Sequence, residues 1–479
     1  MDSRRLLAET GFAPSDRDRW RALAEKALAG ASFDAALTAR TDDGILIEPL
    51  YDRAPTRLTP RNDPAARWAV VQRVDDPDPV RANAQALDDV ANGATGLSLV
   101  FEGAPNAFGY GLPANAEALA QALDGVPLGK VHLRTDVHPM SRASVDWFVA
   151  LLTSRRVDPT RLSLAFGIDP SAIFAGTGRL RMSIEALQAS MPQSLAHFFA
   201  LGVPGALLEA DGRVYHNAGA TEAQELGAML ATAVAHLRMF EAARQPLVYA
   251  APHIGFALAV DQDQFLSTAK LRALRRLWTR VQEACAIPPS PAMVHAETSW
   301  RMMTAKDPET NILRAGIATF AAATGGADSI SVLPHTIAHG LPDDFARRVA
   351  RNIQLVMAGE SRIDFVADPA AGAGGIEALT EALCERAWAE FRAIEAEGGM
   401  LASLAAGRFQ TRVREARERR AALYRAGERA IVGTTLYPQE TERPVSTLAA
   451  ERRPVPTDGA VFCEAMPALR IDQTIEARP

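Results

Sequence analysis

Cysteine is scarce. Cys285, Cys384 and Cys463 are the three in 479 residues, far apart and without the spacing of a metal knuckle or a redox pair. A disulfide framework is excluded as the basis of the fold, and a reducing, cytoplasmic compartment is the expectation. Positive charge is not in excess either. With 51 Lys and Arg against 57 Asp and Glu, the net charge is -6, so no nucleic-acid partner is expected. Long apolar runs are missing: nothing approaches the ~18 residues a membrane span requires, and Met1-Asp2-Ser3-Arg4-Arg5 leads into no signal core. No membrane partner is expected. No Gly-x-Gly-x-x-Gly follows the first apolar run, which weakens a dinucleotide-binding reading. What the chain does have is 48% apolar residues, ample for a sizeable core.

Residues 1–67 read as an arm. A helix starts at Ser15 and covers Asp16 to Leu28; Gly44 to Tyr51 is extended; residues 52–67 are rich in Pro, Arg and Asp. Such a segment builds no core of its own and is expected to lie along the main body or a partner chain. From 68 to 375, short runs rich in Val, Ile, Leu and Ser alternate with helical patterns, as parallel βα units do. The strand candidates are Gly96–Phe101, Lys130–Arg134, Leu162–Phe166, Ala206–Glu209, Leu247–Ala250, Met293–Ala296, Ser329–Leu333 and Ile363–Val366. Eight such units predict an α/β fold, a closed (β/α)8 TIM barrel. A helical extension follows over 376–430, with Arg412 to Arg420 read as a solvated face. Residues 431–479 carry several prolines and read as an extended tail.

The stretch Arg213-Val214-Tyr215-His216-Asn217-Ala218-Gly219-Ala220 lies where the fourth candidate strand hands over to a long helix from Thr221. That is the end of a barrel strand where active sites are built. Tyr215 and His216 are the candidate site residues. Other polar residues collect at strand ends: Glu102, Asp136, His138, Asp169, His253, His295, Glu297, His335 and Asp368. Any solvent-facing rim also needs polar groups, so position alone assigns none of them a role. His216, His253, His295 and Asp368 could converge on a metal ion, although Leu97 to Glu102 carries no His-x-His pair. Asp136-Val137-His138-Pro139-Met140-Ser141 nearly spells Asp-x-His-x-x-Gly, the cobalt-ligand sequence of many cobalamin-binding domains. Serine replaces its glycine, and the stretch reads as a strand end followed by a Ser-capped helix.

With strands and their ends laid out, the chain resembles methylmalonyl-CoA mutase, in particular its small subunit. The resemblance runs from Pro49-Leu50-Tyr51 to about Leu436. It is carried by Gly96-Leu97-Ser98-Leu99, by Tyr215 to Ala220, by Ala269-Lys270-Leu271-Arg272, by Arg347 to Leu355 and by Ile376-Glu377-Ala378-Leu379-Thr380. The resemblance implies a reaction in which adenosylcobalamin supplies a carbon radical inside a water-poor barrel. It implies that a histidine at the position of His216, preceded by Tyr215, binds the substrate thioester carbonyl in catalytic relatives. Those relatives also carry a tyrosine where this chain aligns Val74, a glutamine where it has Gly167, and an arginine in the region 174–178, which here has no cation before Arg179. About 50 residues follow Ala430, without a histidine, so no cobalamin domain and no lower cobalt ligand are expected from them.

The leading expectation is a small, non-catalytic subunit that binds no cofactor or metal. Its partner would be a homologous large catalytic subunit carrying adenosylcobalamin, in a heterodimer. The alternative is a catalytic substrate-binding barrel of a split acyl-CoA mutase with a separate cobalamin-binding chain, which retention of Tyr215 and His216 favours. A metal-dependent barrel hydrolase is the third reading.

Overall fold

The computed structural model describes residues 16–202, 205–453 and 456–476. Ser15, the expected helix start, lies outside them. Eight parallel strands share one sheet: β1 Ala69–Val74, β2 Gly96–Leu99, β3 His132–Thr135, β4 Ser163–Ala165, β5 Leu208–Asp211, β6 Ile254–Val260, β7 Met293–Thr298 and β8 Ser329–Ser331. Their order is β4-β3-β2-β1-β8-β7-β6-β5. Ala165 pairs in parallel with Ala206, just ahead of β5, and joins the two ends. The result is the expected (β/α)8 barrel.

Two strands sit elsewhere than expected. Leu247–Ala250 is a helical turn opened by Pro246, and the strand is the next run, Ile254–Val260, buried throughout. Ile363–Phe365 is a 3-10 turn entered through Arg362 at φ 53°. The strand that completes the ring is Ala69–Val74, paired with β2 on one side and β8 on the other. An apolar tetrapeptide does not distinguish strand from helix. Ala69–Val74 disguises itself with Gln72, which reaches outward to Asp89, and Arg73, which reaches into the barrel.

In the arm, α1 Arg17–Ala27 is capped by Asp16, whose carboxylate accepts from the Arg19 amide at 2.7 Å, and it buries no residue. The rest of the arm is tied to the body. Asp42 pairs with Arg420 and Arg429 at 2.5 and 2.7 Å, and the Thr59 amide donates to Asp368 at 2.7 Å. Around the barrel run α2 Pro170–Thr177, α3 Arg213–Asn217, α4 Glu222–Ala242, α5 Gln264–Ala284, α6 Thr310–Gly325 and α7 Asp344–Gly359, among others. The helix α8 Gly374–Ala396 packs across α4 and α5. Its approach is close at Gly227, where a Cβ would stand 2.8 Å from the Glu390 side chain. A larger residue there would push α8 away.

The helix α9 Arg408–Arg425 is not simply a solvated face. Arg420 is buried and donates to the carbonyls of Gly219 and Ala220, and Arg417 to that of Ala218. These arginines satisfy the backbone of the loop after α3, which has no helix or strand to do so.

The tail is extended for most of its length but ends in a helix, α10 Ile471–Glu476. It runs over the loops at the C-terminal end of the barrel. Thr447 and Leu448 pair with Leu341 and Pro342. The Arg453 amide donates to Gly109, Cys463 to Gly178, Met466 to Ala175, Leu469 to Asn217 and Ile471 to Arg301. These partners belong to loops or helices following β2, β4, β5, β7 and β8.

Candidate functional site

Inward-facing positions of a barrel alternate along each strand. In this chain they bring charge to the axis: Arg73 from β1, Arg134 from β3, Glu209 and Asp211 from β5, and Glu297 from β7. Asp136 follows β3, and Arg213 opens α3. All are almost completely buried. Arg134 donates through Nη2 to both carboxylate oxygens of Glu209, at 2.8 and 2.9 Å. Arg213 grips Asp211 at 2.9 and 2.7 Å, reaches Glu297 at 3.2 Å and binds Asp136. Arg73 donates to Glu297 at 2.9 Å and to Asp75 at 3.2 Å, and Arg347 closes on Asp75 at 2.7 Å.

The charges tune one another. Burial alone would raise the Asp136 carboxyl, but Arg213, Arg134 and Arg73 hold it at about 2. Asp211 goes the other way: burial raises it, and Arg213 offsets only part of that. Among the described residues Asp169 has no cationic partner. Its carboxylate caps α2 through the Ser171 and Ala172 amides at 2.8 and 3.0 Å and also accepts from the Asp211 amide at 2.9 Å. Burial nevertheless pushes it up to about 7.

Above this network, Phe108 and Trp300 stack with ring centroids 4.2 Å apart and planes 9° from parallel. Arg73 lies 5.3 Å below Phe108, and Arg470 of the tail lies 5.5 Å from the Trp300 ring. Pro467, Ala468 and Arg470 line the same pocket as the two rings. The axis is filled with charge, roofed by aromatic rings and crossed by the tail.

Tyr215 and His216 are neighbours in sequence but face different surroundings. The His216 ring is fully buried, with Nδ1 at 3.1 Å from Glu225 and Nε2 at 2.8 Å from the Ser299 hydroxyl. Lys270 binds Glu225 at 2.6 Å. Burial, with Arg301 and Lys270 nearby, holds the imidazole well below its ordinary pKa, so it is neutral. A neutral ring donating from Nδ1 to the carboxylate accepts at Nε2 from Ser299. Both nitrogens are committed. Tyr215 packs edge-on against Phe409 at 5.3 Å, and its hydroxyl lies beside Thr232 without a hydrogen-bond partner. Burial raises that phenol well above its usual range.

Of the other strand-end residues, Asp136 and Glu297 join the axial network. The four residues of the metal reading do not converge, which removes its geometric basis. His253 precedes β6, at the opposite end from the mouth, and binds the Gly205 carbonyl at 2.6 Å. His295 binds Ser329 at 2.8 Å, and Asp368 is held by Arg272 and the arm. His138 is buried between Phe101 and Trp147, and Ser141 brackets its backbone, accepting from its amide and donating to its carbonyl. That serine is the first residue of its helix rather than the cap. Glu102 accepts from the Ala114 amide at 3.3 Å, and His335 meets Phe345 edge-on.

The three positions that the resemblance singled out are also placed. Val74 is buried at the end of β1. Gly167 lies so close to the β3 loop that a Cβ would stand 2.6 Å from the Thr135 carbonyl oxygen and the Val137 nitrogen. Arg179 donates to the Thr177 carbonyl at 3.1 Å and pairs with Phe462 of the tail, away from the axis. Sequence reasoning missed the axial arginines. Their signal was a charge inside otherwise apolar runs, as in Ala-Val-Val-Gln-Arg73-Val and Val-His-Leu-Arg134-Thr.

Residues 58–460 match the family described as methylmalonyl-CoA mutase. The chain is 36% identical to the methylmalonyl-CoA mutase small subunit of Streptomyces virginiae, over 99% of this chain and 77% of that one. It is 35% identical to the small subunit of Propionibacterium freudenreichii subsp. shermanii, over 78% of this chain and 60% of that one. Identity to the large subunit of Streptomyces virginiae is 26%, over 94% of this chain and 66% of that one. With the family match spanning most of its length, and with small subunits sharing more of its sequence than that large one, this chain belongs to the methylmalonyl-CoA mutase family.

Proposed function

We propose that this chain is the small, non-catalytic subunit of a heterodimeric, adenosylcobalamin-dependent methylmalonyl-CoA mutase. Its role is to stabilise a homologous large subunit that binds the cofactor and interconverts methylmalonyl-CoA and succinyl-CoA. One observation carries the reading: the barrel axis is occupied by paired arginines and carboxylates. A substrate entering that space would have to strip buried charges of their partners, at a cost of about 3–5 kcal/mol for each pair broken.

Corrin chemistry does not suit this mouth. A corrin would have to share this mouth with the Phe108–Trp300 stack and with the tail residues Pro467, Ala468 and Arg470, which line the same pocket. No step is routed through the cofactor in this chain. His216 and Tyr215, which favour the catalytic alternative in the sequence, have their polar groups committed or packed away from the axis.

The test is co-purification with the large mutase chain encoded in the same genome, followed by cobalamin quantitation. One cofactor per heterodimer is expected. Two per pair, or cobalamin retained by this chain alone, would overturn the reading.

A further inference from the structure

The outer surface of this barrel is unevenly charged. On α9 the exposed positions include Glu415, Glu418 and Arg419, as a solvated helix requires. On α6 the opposite holds. Between Glu309 and Asp328 its one charged residue is Arg314, which is turned in and bonded to Thr304, Asn311 and the Val432 carbonyl. The outward positions of α6 are Leu313, Ile317 and Phe320, with Leu313 68% exposed. Gly316 stands among them with nothing within 4 Å of where a Cβ would be, a notch that lets a crossing helix come close. The neighbouring α7 adds Phe345, 65% exposed, and Val356; Phe365, 72% exposed, follows in the 3-10 turn packed against both helices.

Isolated exposed apolar residues such as Tyr249 are ordinary. Six of them gathered on two packed helices and the turn beside them are not, even with exposed Arg348 on the α7 flank. At about 200 Å² for an aromatic side chain and somewhat less for Leu, Ile and Val, these six present roughly 600 Å² of surface, at the top of the ~300–600 Å² range for the largest patch of a typical monomer. The value approaches the ~800 Å² that a standard interface takes from each partner.

We propose that this α6–α7 face seats the homologous large mutase subunit, an inference that rests on the two-chain reading above. The area favours a macromolecular partner, and the absence of charge on α6 favours another apolar helix face over a polar or charged surface.

Tagged chain is co-expressed with the large mutase subunit of the same genome, and affinity is measured for the wild type, Ile317→Asp, Phe345→Asp and, outside the face, Tyr249→Asp. All three positions are solvent-exposed, and unchanged melting temperatures will confirm folding. The expected result is a loss of ~30-fold or more for Ile317→Asp and Phe345→Asp, with Tyr249→Asp binding as the wild type does. A pair that forms equally well with all variants would overturn the face while leaving the two-subunit function standing. No pairing by the wild type would sink that function itself. A homodimer in sedimentation, dissolved by the same two substitutions, would overturn the choice of occupant.

Discussion

At the scale of single residues, the question is what a histidine at a strand-to-helix junction does once both its nitrogens are spoken for. His216 bridges Glu225 on α4 and Ser299 after β7, so it ties two strand-to-helix junctions together. His216→Ala should therefore act on stability, lowering it by about 1–3 kcal/mol through the orphaned buried partners. The activity of the assembled complex should stay within about twofold of wild type. Urea unfolding and complex turnover measure the two; a loss of turnover as large as that from the equivalent change in the large subunit would contradict the non-catalytic role. Asp169 gives a pH signature. Its folded pKa of about 7 exceeds the ordinary 3.8, so between those values the folded chain holds a proton that the unfolded chain has released. The stabilisation is complete below about pH 4 and is lost as pH rises through about 7. Asp169→Asn keeps a cap acceptor and cannot ionise. It should narrow the difference in urea midpoint between pH 5 and pH 8, and an unchanged difference would dispose of the assignment.

At the scale of elements, Gly167 sets what the seam between β4 and the β3 loop can accept. β4 and the β3 loop approach so closely that a Cβ meets backbone at 2.6 Å, and backbone does not yield as a side chain would. Gly167→Gln is expected to cost ~3 kcal/mol and to restore no turnover, readable as a lowered melting temperature in the isolated subunit. The same closeness shows what was legible in advance. Helices Pro79–Ala91 and Ile184–Ala200 open on local signals, the side-chain caps of Asp78 and Ser183, of the kind a sequence displays. The eight-unit rhythm predicted the barrel. Leu247–Ala250 and Ile363–Val366 misled because a run of four residues, unbroken or interrupted by Asp364, is too short to carry a period. Ala69–Val74 was overlooked because its inward arginine looks like a surface residue until Glu297, 224 positions away, is folded against it. His216 was found by its strand end, while its true partners, Glu225, Lys270 and Ser299, come from three separate elements that no local spacing connects.

At the scale of the whole molecule, the tail and the axial network act as two closures of one barrel. The tail donates backbone hydrogen bonds to Gly109, Gly178, Ala175, Asn217 and Arg301, so it links loops that follow different strands. Deleting residues 445–476 should speed amide exchange in loops 103–112 and 176–180 while sparing β6 and β7. Exchange unchanged in those loops would mean the strap bears no load. Inside, each arginine is shared among several carboxylates, and Arg213 alone holds Asp136, Asp211 and Glu297. A lone substitution strands its former partners in a dry interior, at about 3–5 kcal/mol, whereas exchanging the whole set for apolar residues is nearly neutral. Descent can therefore drift forward from such an arrangement only by coordinated change, and each first step back toward an open channel is penalised before it confers anything. Under the non-catalytic role proposed above, the salt-bridged axis works as an evolutionary ratchet that keeps the barrel committed to its life as masonry.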